Sequence, residues 1–494
     1  MSKVLVVDLN NFARYPTVAV GYLVAEMRNS GLTVDLFSPL SVGVEGITRE
    51  PPLRPWSLID ERLRYRSAIS RNKTIRWVRN KLAARRLPST RTATRRVLEH
   101  LEPQLAKKPD VILISAYLMY YDLCVGICRL AEARGIPVVI GGSYFNQPSV
   151  ARAWLSIPGL TAIVGAEAEP IVSKLVEAVT SDDADCLVGM PGVWIPDAPD
   201  PRPAPPLAKL DALPFPDYSD FPWHRYPDRI IPILSGRGCG WGACTFCSDV
   251  TSSMGRTFRS RSPADVLNEL QFQAERFSSS RFIFVDLKLN SDLDLWNGLI
   301  DGFAHRVAGA QWAASVHIGT RSGNGLSLER LTAARAAGLV RLTTGFESAS
   351  QHVLDEMKKG TDAKTTSQFL RDANEADISV RMTMIVGYPN ERAADLLETA
   401  EFLTKHSHLI ERISLNRLAI IAGTPLDRQT KKRPDRNPDL VDLVPNDRMG
   451  TIQHRNRAVE TREHRRAIDR VLTAVHKINR RPLREGAQAF SGVM

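Results

Sequence analysis

The chain has 494 residues, of which 43% are hydrophobic and 24% are charged. This composition excludes a small binding module, a disordered chain and a coiled coil, and it leaves room for about three domains of about 150 residues each. No run approaches the roughly 20 apolar residues of a membrane span, and the opening MSKVLVVDLNN reads as a strand and not as the apolar core of a signal peptide, so we expect a soluble, cytoplasmic protein.

The net charge of +11 is concentrated in one segment. Between Glu50 and Asp110 there are 16 Lys and Arg residues against 6 Asp and Glu residues, so this segment carries +10. The runs 71–86 and 91–100 read as basic helices within an insert over 50–110. A solvated helical face is the simplest interpretation, and an acidic partner, a nucleic acid or an anionic membrane are the alternatives.

The first 190 residues alternate apolar strands with helices. A strand in KVLVVDLNN, a helix that stops at Gly31 and the strand TVDLF form a βαβ unit, and the same alternation resumes after the insert with strands at 110–115, 137–142 and 161–169. This pattern predicts a doubly wound, Rossmann-like α/β domain over 1–190, whose ligand crevice lies at the carboxyl ends of the strands.

Proline marks the next boundary. Residues 191–232 contain 12 of the 31 prolines, which predicts a linker over 191–230. Six further strand–helix repeats follow over 231–426 and favour a partial (β/α)6 TIM barrel, with its chemistry at the carboxyl ends of the strands. The last part, 427–494, reads as a helical tail with one apolar stripe.

Three of the six cysteines lie within nine positions, in a glycine-rich loop after the first barrel strand: Cys239, Cys244 and Cys247. Thiolates on such a loop can converge on one metal centre, and three of them match a [4Fe–4S] cluster that keeps one iron free of protein ligands. A zinc site completed by His224 or His317, or three structural cysteines, are the alternatives. We expect Cys124, Cys128 and Cys186 to be small buried hydrophobic residues.

The loop SGRGCGWGACTFC resembles the cluster loop of radical S-adenosylmethionine (SAM) enzymes. PFPDYSDFPWHRY, RFIFVDLKLN, LVRLTTGFESASQHVLDEMKKGT and ISVRMTMIVGYPNE resemble the cobalamin-binding, class B methyltransferase type of that family, and YPTVAVGYLVAEMRNSGLTV, IPVVIGGSYFN and AIVGAEAEP resemble its cobalamin domain. The resemblance covers about 400 of the 494 residues. The first cysteine spacing is one residue longer than the commonest form, although a Trp-Gly version occurs among cobalamin-dependent members.

This resemblance implies three cofactors: a [4Fe–4S] cluster, SAM and cobalamin. The free iron would bind the amino and carboxylate groups of SAM, whose reductive cleavage starts the radical reaction. Candidate SAM contacts at strand ends are Phe246, Glu347, Gly387 and Pro389, together with Asp286 and Asn290, which follow strand two where simpler members have Gly-Gly-Glu. A buried structural carboxylate at Glu347 and a mere turn at 387–389 are the alternatives.

For cobalamin, backbone approach at glycines and nearby polar groups indicate a set of candidate contacts: Asn10, Thr17, Ser115, Gly141, Gly142, Gly165 and Glu167. Ordinary turn chemistry is the alternative at each. The sequence lacks the Asp-x-His-x-x-Gly signature, as is usual in this subfamily, so the cobalt would have no protein histidine ligand; loss of cobalamin binding is the other interpretation.

The expected function is a cobalamin-dependent radical SAM methyltransferase that acts on an unactivated carbon or a phosphorus of a natural-product intermediate, as in antibiotic biosynthesis. The alternatives are a radical SAM isomerase or cyclase that uses cobalamin without methyl transfer, and a non-enzymatic iron–sulfur sensor that binds nucleic acid. Expected partners are a small-molecule or carrier-protein-tethered substrate and an electron donor such as flavodoxin or ferredoxin, with no membrane and no nucleic acid.

Overall fold

The structure is a computed structural model of the chain. It describes residues 2–48, 50, 53–54, 56–70, 72, 74–75, 77–79, 91–181, 184–251, 258–320 and 323–493. Most of the predicted basic run 71–86 therefore lies outside the described residues, including Arg76, Arg85 and Arg86. Within the described parts, no helix is both long and apolar enough to cross a membrane.

The amino-terminal part folds around a six-stranded sheet with the order β2-β1-β3-β4-β5-β6. Its strands are β1 (Lys3–Asp8), β2 (Thr33–Phe37), β3 (Val111–Ser115), β4 (Val138–Gly141), β5 (Ala162–Val164) and β6 (Val193–Trp194). All pairs are parallel except β5 with β6. The strands are apolar on successive positions because both faces of the sheet are buried, as in a doubly wound fold.

Helices cover both faces of this first sheet. They are α1 (Val18–Asn29), α2 (Ser57–Ala68), α3 (Arg91–Leu105), α4 (Tyr121–Glu132), α5 (Pro148–Leu155), α6 (Val172–Thr180) and α7 (Ala184–Val188). Strand β6 lies beyond residue 190, so the sheet extends past the predicted domain end. Cys124 and Cys128 are buried as expected, whereas Cys186 is exposed, because it lies on the short peripheral helix α7.

The second sheet has six parallel strands in the order β14-β13-β12-β11-β10-β7. The strands are β7 (Ile230–Ile233), β10 (Arg281–Phe284), β11 (Gln311–Val316), β12 (Leu339–Glu347), β13 (Ser379–Val386) and β14 (Arg412–Arg417), and a short antiparallel pair, β8 (Gly236–Arg237) and β9 (Arg259–Ser260), follows β7. The strand order follows the chain order and the sheet stays open, as predicted for a partial barrel.

The barrel helices alternate with the strands along the chain. The helices are α8 (Pro263–Phe277), α9 (Leu293–Arg306), α10 (Leu328–Ala336), α11 (Gln351–Glu356), α12 (Ala363–Glu375) and α13 (Ala393–Lys405). Local capping fixes these starts: the side chains of Ser262, Asp292 and Asp362 accept hydrogen bonds from backbone amides of the first helical turn.

The amino-terminal end of the barrel is closed from inside. Tyr15, Phe490 and Val493 form one apolar cluster with residues near the starts of four strands: Ile230, Ile283, Ala313 and Val340. Tyr15 comes from the loop after β1, and the other two come from the end of the chain. Because these side chains fill this end, the carboxyl ends of the strands are the open end of the barrel interior.

The carboxyl-terminal part is not helical throughout. It contains the antiparallel sheet β15-β17-β16, with β15 (Ile420–Ile421), β16 (Leu440–Asn446) and β17 (Thr451–Asn456), besides α14 (Pro425–Lys432) and α15 (Arg462–Asn479). The strands escape sequence analysis because β16 is mostly exposed and contains a proline. Helix α15 buries the predicted stripe and also packs on α2, where the Tyr65 hydroxyl lies 2.9 Å from His464 Nε2.

Candidate functional site

The three clustered cysteines lie on the loop between β8 and β9, at the carboxyl-terminal end of the barrel. All three thiols are half-buried and none forms a disulfide. The loop is fixed by its neighbours: the amide of Thr245 donates to the carbonyl of Met357 at 3.0 Å, and the amide of Gly240 donates to Ser291 Oγ at 3.2 Å.

Trp241, between the first two cysteines, fixes the same loop to the segment after β12. Its Nε1 donates to the carbonyl of Lys358 at 2.9 Å, and its ring stacks on His317 with 5.3 Å between centroids. Gly360 lies under the indole with φ +68°, and a Cβ at this position would lie 2.2 Å from the Trp241 ring. Only glycine combines this backbone conformation with so close a contact.

Glu347 ends β12 beside the cysteine loop, in the left-handed region with φ +64°. It is buried and accepts a hydrogen bond from Lys359 Nζ at 3.1 Å. Lys359 is itself buried, and its Nζ lies 6.0 Å from the centre of the Phe246 ring. The predicted contacts Glu347 and Phe246 therefore meet at one buried lysine, which sequence reasoning did not single out, although it stands in the quoted run LDEMKKGT.

Two opposing effects act on the ionisation of the loop cysteines, namely burial and the charge of nearby lysines. Burial raises the pKa of the Cys244 thiol and raises that of Cys247 to about 11, while the positive charge of Lys359 opposes the shift at Cys244. Lys288 also lies near the cysteine loop, and burial together with the charge of Lys359 lowers its pKa to about 8. These lysines would offset the negative charge of bound thiolates, so the residues present fit an iron–sulfur cluster.

The zinc alternative finds no support in the geometry. The ring of His317 packs against Trp241, and burial, followed by the charges of Lys359 and Lys288, lowers its pKa to about 3. Its imidazole is therefore neutral, as a zinc ligand also has to be, so its protonation state does not decide between the two metal centres. His224 belongs to a short turn of the linker, 223–225. Over the residues that the structure describes, no group of three or more His, Cys, Asp or Glu side chains is arranged around a single metal ion.

The loop after β13 also reaches the cysteine loop. Gly387 has φ +79°, and its amide donates to Glu391 Oε2 at 2.6 Å. The hydroxyl of Tyr388 lies 2.6 Å from Thr245 Oγ1, and the neighbouring Pro389 is buried. The structure thus brings 387–389 next to the cysteine loop through Tyr388, a residue that sequence reasoning placed only within a turn.

Asp286 and Asn290 hold the backbone locally. Asp286 is buried and accepts hydrogen bonds from the amide and hydroxyl of Ser235, and burial raises its pKa to about 6. The side-chain amide of Asn290 donates to the carbonyls of His317 and Asn324 and accepts from the His317 amide. Their polar atoms are therefore engaged in positioning the ends of neighbouring strands.

At the carboxyl ends of β1 and β3, the predicted cobalamin contacts form a polar cluster. Asn10 Nδ2 donates to Ser115 Oγ at 2.9 Å, and Thr17 Oγ1 donates to buried Asp8, whose pKa burial raises to about 6. Two buried polar atoms here have no hydrogen-bond partner among the described residues: Asn10 Oδ1 and the hydroxyl of Tyr120. Unsatisfied buried groups of this kind fit a polar ligand in the crevice.

The glycines of this crevice serve contacts between loops. A Cβ on Gly142 would lie 2.5 Å from the carbonyl oxygen of Ala116, and one on Gly165 would lie 2.1 Å from that of Phe145. Gly141 is less constrained, because a Cβ at this position would lie 4.0 Å from the nearest atoms, which belong to Val164. Because neither Gly142 nor Gly165 has a side chain, the loops pack closely at these positions and the space beyond them stays unfilled.

That space is a cavity of about 440 Å³ between the two sheets. Its walls come from the loops after β4 and β5, from the linker at 204–206 and from the cysteine loop. Among its lining residues are Gly142, Gly165 and Glu167 on one side and Arg237, Gly238 and Cys247 on the other. Predicted residues from both halves of the chain therefore border one cavity, whereas Asn10, Thr17, Ser115 and Gly141 do not line it.

Glu167 joins the two halves at this cavity. Its Oε1 lies 2.8 Å from the guanidinium of Arg259 and 3.4 Å from that of Arg237, and its Oε2 accepts from the linker amide of Leu207 at 2.6 Å. Despite burial, these partners hold the pKa of Glu167 below its usual range. The residue expected to touch a cofactor is thus also an ion-pair bridge between the sheets.

Comparison with known proteins gives one family match. Residues 233–403 match the model of the radical SAM superfamily. The anaerobic magnesium-protoporphyrin IX monomethyl ester cyclase of Rubrivivax gelatinosus is 29% identical over 311 residues, which are 59% of this chain and 53% of the cyclase. The chain therefore spans about half the length of this relative.

Two solved structures share the fold over most of the chain. The cobalamin-dependent SAM radical enzyme OxsB with aqua-cobalamin bound superposes with a TM-score of 0.66 and 15% identity, over 92% of this chain and 64% of OxsB. The radical SAM methyltransferase TsrM from Kitasatospora setae, with cobalamin and a [4Fe–4S] cluster, gives 0.61 and 15%, over 88% and 78%. The predicted fold class is confirmed.

Proposed function

Residues 233–403 are a radical SAM domain, and from this premise we propose that the chain is a cobalamin-dependent radical SAM methyltransferase. The observation that carries the proposal is the cavity of about 440 Å³, which has crevice residues of the first sheet on one wall and Cys247 on the other. A methyl donor and a radical source must reach one substrate atom, and a shared cavity permits that.

When bound, the cluster and SAM supply the radical and cobalamin supplies the methyl group. Cys239, Cys244 and Cys247 would hold the cluster, Glu347 with Lys359 and the loop 387–389 would border SAM, and Gly142 and Gly165 would face the corrin. Lys359 and Lys288 offset the thiolate charge, while the plug of Tyr15, Phe490 and Val493 keeps solvent out of the barrel from below.

The substrate class that we propose is a natural-product intermediate methylated at an unactivated carbon or at phosphorus. The electron would come from a flavodoxin or ferredoxin type of donor. The likeness to TsrM supports the methyltransferase assignment, because TsrM is a radical SAM methyltransferase of the same fold.

The test is anaerobic reconstitution of the full chain with iron, sulfide and hydroxocobalamin. We expect the visible spectra of both a cluster and a corrinoid, and SAM-dependent formation of 5′-deoxyadenosine and S-adenosylhomocysteine. If the protein takes up iron and cleaves SAM but binds no corrinoid, it is a radical SAM enzyme, and the proposal of a cobalamin-dependent methyltransferase is wrong.

A second candidate is a radical SAM cyclase, because the Rubrivivax relative is named as one. The two activities differ in the product. Methyl transfer adds one CH2 unit to the substrate mass and consumes a second SAM for each product, whereas ring formation adds no carbon. Mass spectrometry of a turnover mixture with deuteriomethyl-labelled SAM distinguishes them, since only methyl transfer carries the label into the product.

A further inference from the structure

A large basic cavity lies on the seam between α2 and α15, away from the cysteine loop. It has a volume of about 820 Å³, and its lining includes Arg66 of α2 and three arginines of the first two turns of α15: Arg462, Arg465 and Arg466. We call this cavity the arginine vestibule. Among the described residues that line it, two are acidic, Glu460 and Asp469.

Both acidic residues are already paired. Asp469 lies 2.6 Å from the guanidinium of Arg66, and Glu460 lies 2.5 Å from that of Arg455. The three α15 arginines are exposed, and within the described residues none of them forms an ion pair with a carboxylate. The vestibule therefore presents three uncompensated guanidinium groups to solvent.

The position of these arginines does not serve the helix. An α-helix has partial positive charge at its amino-terminal end, so acidic residues stabilise the first turn and cations disfavour it. Thr461 caps α15 through the His464 amide, yet Arg462, Arg465 and Arg466 follow at once. Cations held against the local preference, and lining a cavity, suit an anionic ligand instead.

The vestibule continues toward the reaction site. A narrow cavity of about 40 Å³ shares Ile69, Ser70 and Glu460 with it and ends at Val386 and Gly387, at the carboxyl end of β13. The next residue, Tyr388, contacts Thr245 of the cysteine loop. The two cavities are therefore neighbours, and the arginines lie on the side of the barrel where β13 ends.

One further cation lines this narrow cavity. Arg417 stands at the end of β14, and among the described residues no carboxylate pairs with it. His454 lines the same cavity, where burial and the charge of Arg417 lower its pKa. Arg417 therefore adds positive charge between the vestibule and the barrel mouth.

From this geometry we propose that the arginine vestibule binds a phosphate group of the substrate, while the part to be modified extends toward the carboxyl end of β13 at the barrel mouth. The proposal rests on the proposed function for the site that it leads to. The phosphate has two possible sources, a free phosphorylated metabolite or the phosphopantetheine arm of a carrier protein, and both present a phosphomonoester or phosphodiester at the end of a chain.

The test is binding of 4′-phosphopantetheine to the full chain, measured by calorimetry, with pantetheine as the probe that lacks phosphate. The vestibule variant Arg462→Gln/Arg465→Gln/Arg466→Gln is compared with Arg470→Gln/Lys477→Gln/Arg480→Gln. This control removes three exposed cations, two from the same helix and one from the residue that caps its carboxyl-terminal end, all outside both cavities. We expect the vestibule variant to bind about tenfold more weakly or worse and the control to bind as the wild type does.

Equal weakening in both variants, equal binding of pantetheine, or no binding by the wild type would overturn the proposal. A phosphopantetheinylated carrier protein and its apo form distinguish the source: tighter binding of the former indicates a carrier arm, and binding of the free probe alone indicates a metabolite. Iron content and SAM cleavage are measured on each variant. If the wild type takes up no iron and cleaves no SAM, the proposed function fails, whereas the phosphate site is unaffected by that result.

Discussion

The chemistry at the residue scale depends on three thiols beside buried lysines. Cys244 and Cys247 are partly shielded from water, which raises their thiol pKa, and Lys359 opposes that shift at Cys244. Lys359 in turn is balanced by Glu347 at 3.1 Å. Because both partners of this pair are buried, neither tolerates loss of the other without a large cost.

Replacing Cys239, Cys244 and Cys247 together by Ala should abolish iron binding and SAM cleavage, because these thiols are the cluster ligands that we propose. Iron content after anaerobic reconstitution and 5′-deoxyadenosine formation measure the effect. Cys186→Ser is the control, since this cysteine is exposed and remote in sequence. A triple variant that keeps the cluster spectrum would contradict the assignment.

Glu391 gives a pH-dependent prediction. It is buried, and burial raises its pKa from 4.5 to about 8. Between these two pH values the folded chain holds a proton that the unfolded chain has lost, so stability falls as pH rises, by about 1.4 kcal/mol per pH unit for this group.

Glu391→Gln removes this titration and keeps an acceptor for the Gly387 amide. We expect the free energy of unfolding of the variant, relative to wild type, to increase between about pH 5.5 and about pH 7.5 in urea titrations. Glu401→Gln, an exposed position of α13, controls for loss of a carboxylate. A difference between variant and wild type that does not change with pH would show that Glu391 is ionised in the folded chain.

At the scale of elements, Glu50 fixes the start of the insert to the barrel. Its carboxylate lies 2.8 Å from the Arg341 guanidinium and 2.7 Å from that of Arg381, at the starts of β12 and β13. Both arginines are buried. The ion pairs therefore hold the insert against the closed end of the barrel, beside the plug residue Phe490, whose carbonyl accepts from Arg341 at 2.8 Å.

Glu50→Gln should destabilise the chain by about 3–5 kcal/mol, because it removes the carboxylate charge that pairs with two buried guanidinium groups. Denaturant titrations of wild type and variant measure this difference. The control is Glu99→Gln, which removes an exposed partner of Arg95 on α3, where the pair is worth less than about 1 kcal/mol. Equal small effects at both positions would show that the Glu50 ion pairs are hydrated.

At the scale of the whole molecule, the two halves share one apolar core. A single cluster joins Val4 and Val24 of the first domain, Tyr218 of the linker, Phe284 of the barrel and Val471 of α15. Glu167, Arg237 and Arg259 add ion pairs across the same boundary. The linker is thus part of the core, since the Tyr218 hydroxyl donates to the carbonyl of Pro232 at 2.8 Å.

This continuity predicts one cooperative unfolding transition for the chain. Halves with separate cores unfold independently, whereas a shared core exposes apolar surface on both sides when either half opens. Far-ultraviolet circular dichroism and tryptophan fluorescence should give coincident urea curves. Two resolved transitions would contradict the prediction and would mean that the first domain is stable by itself.

The sequence by itself determined the features that depend on local pattern. The spacing of Cys239, Cys244 and Cys247, the helix starts at capping residues such as Ser262, and the apolar runs of the parallel strands are readable because each arises within a few neighbouring positions. The same local signals predicted parallel strands joined by helices in both halves of the chain, an arrangement with few permitted connections.

Only the tertiary structure decided which residues meet. Lys359 reaches Glu347 and Phe246, Glu50 reaches Arg341 across 291 positions, and Cys247 shares a cavity with Gly165. The small sheet of the tail and the extension of the first sheet to β6 were equally hidden, because short or exposed strands leave no strong alternation. Ion pairs, cavities and shared cores arise from distant parts of the chain, and no local period of the sequence records their partners.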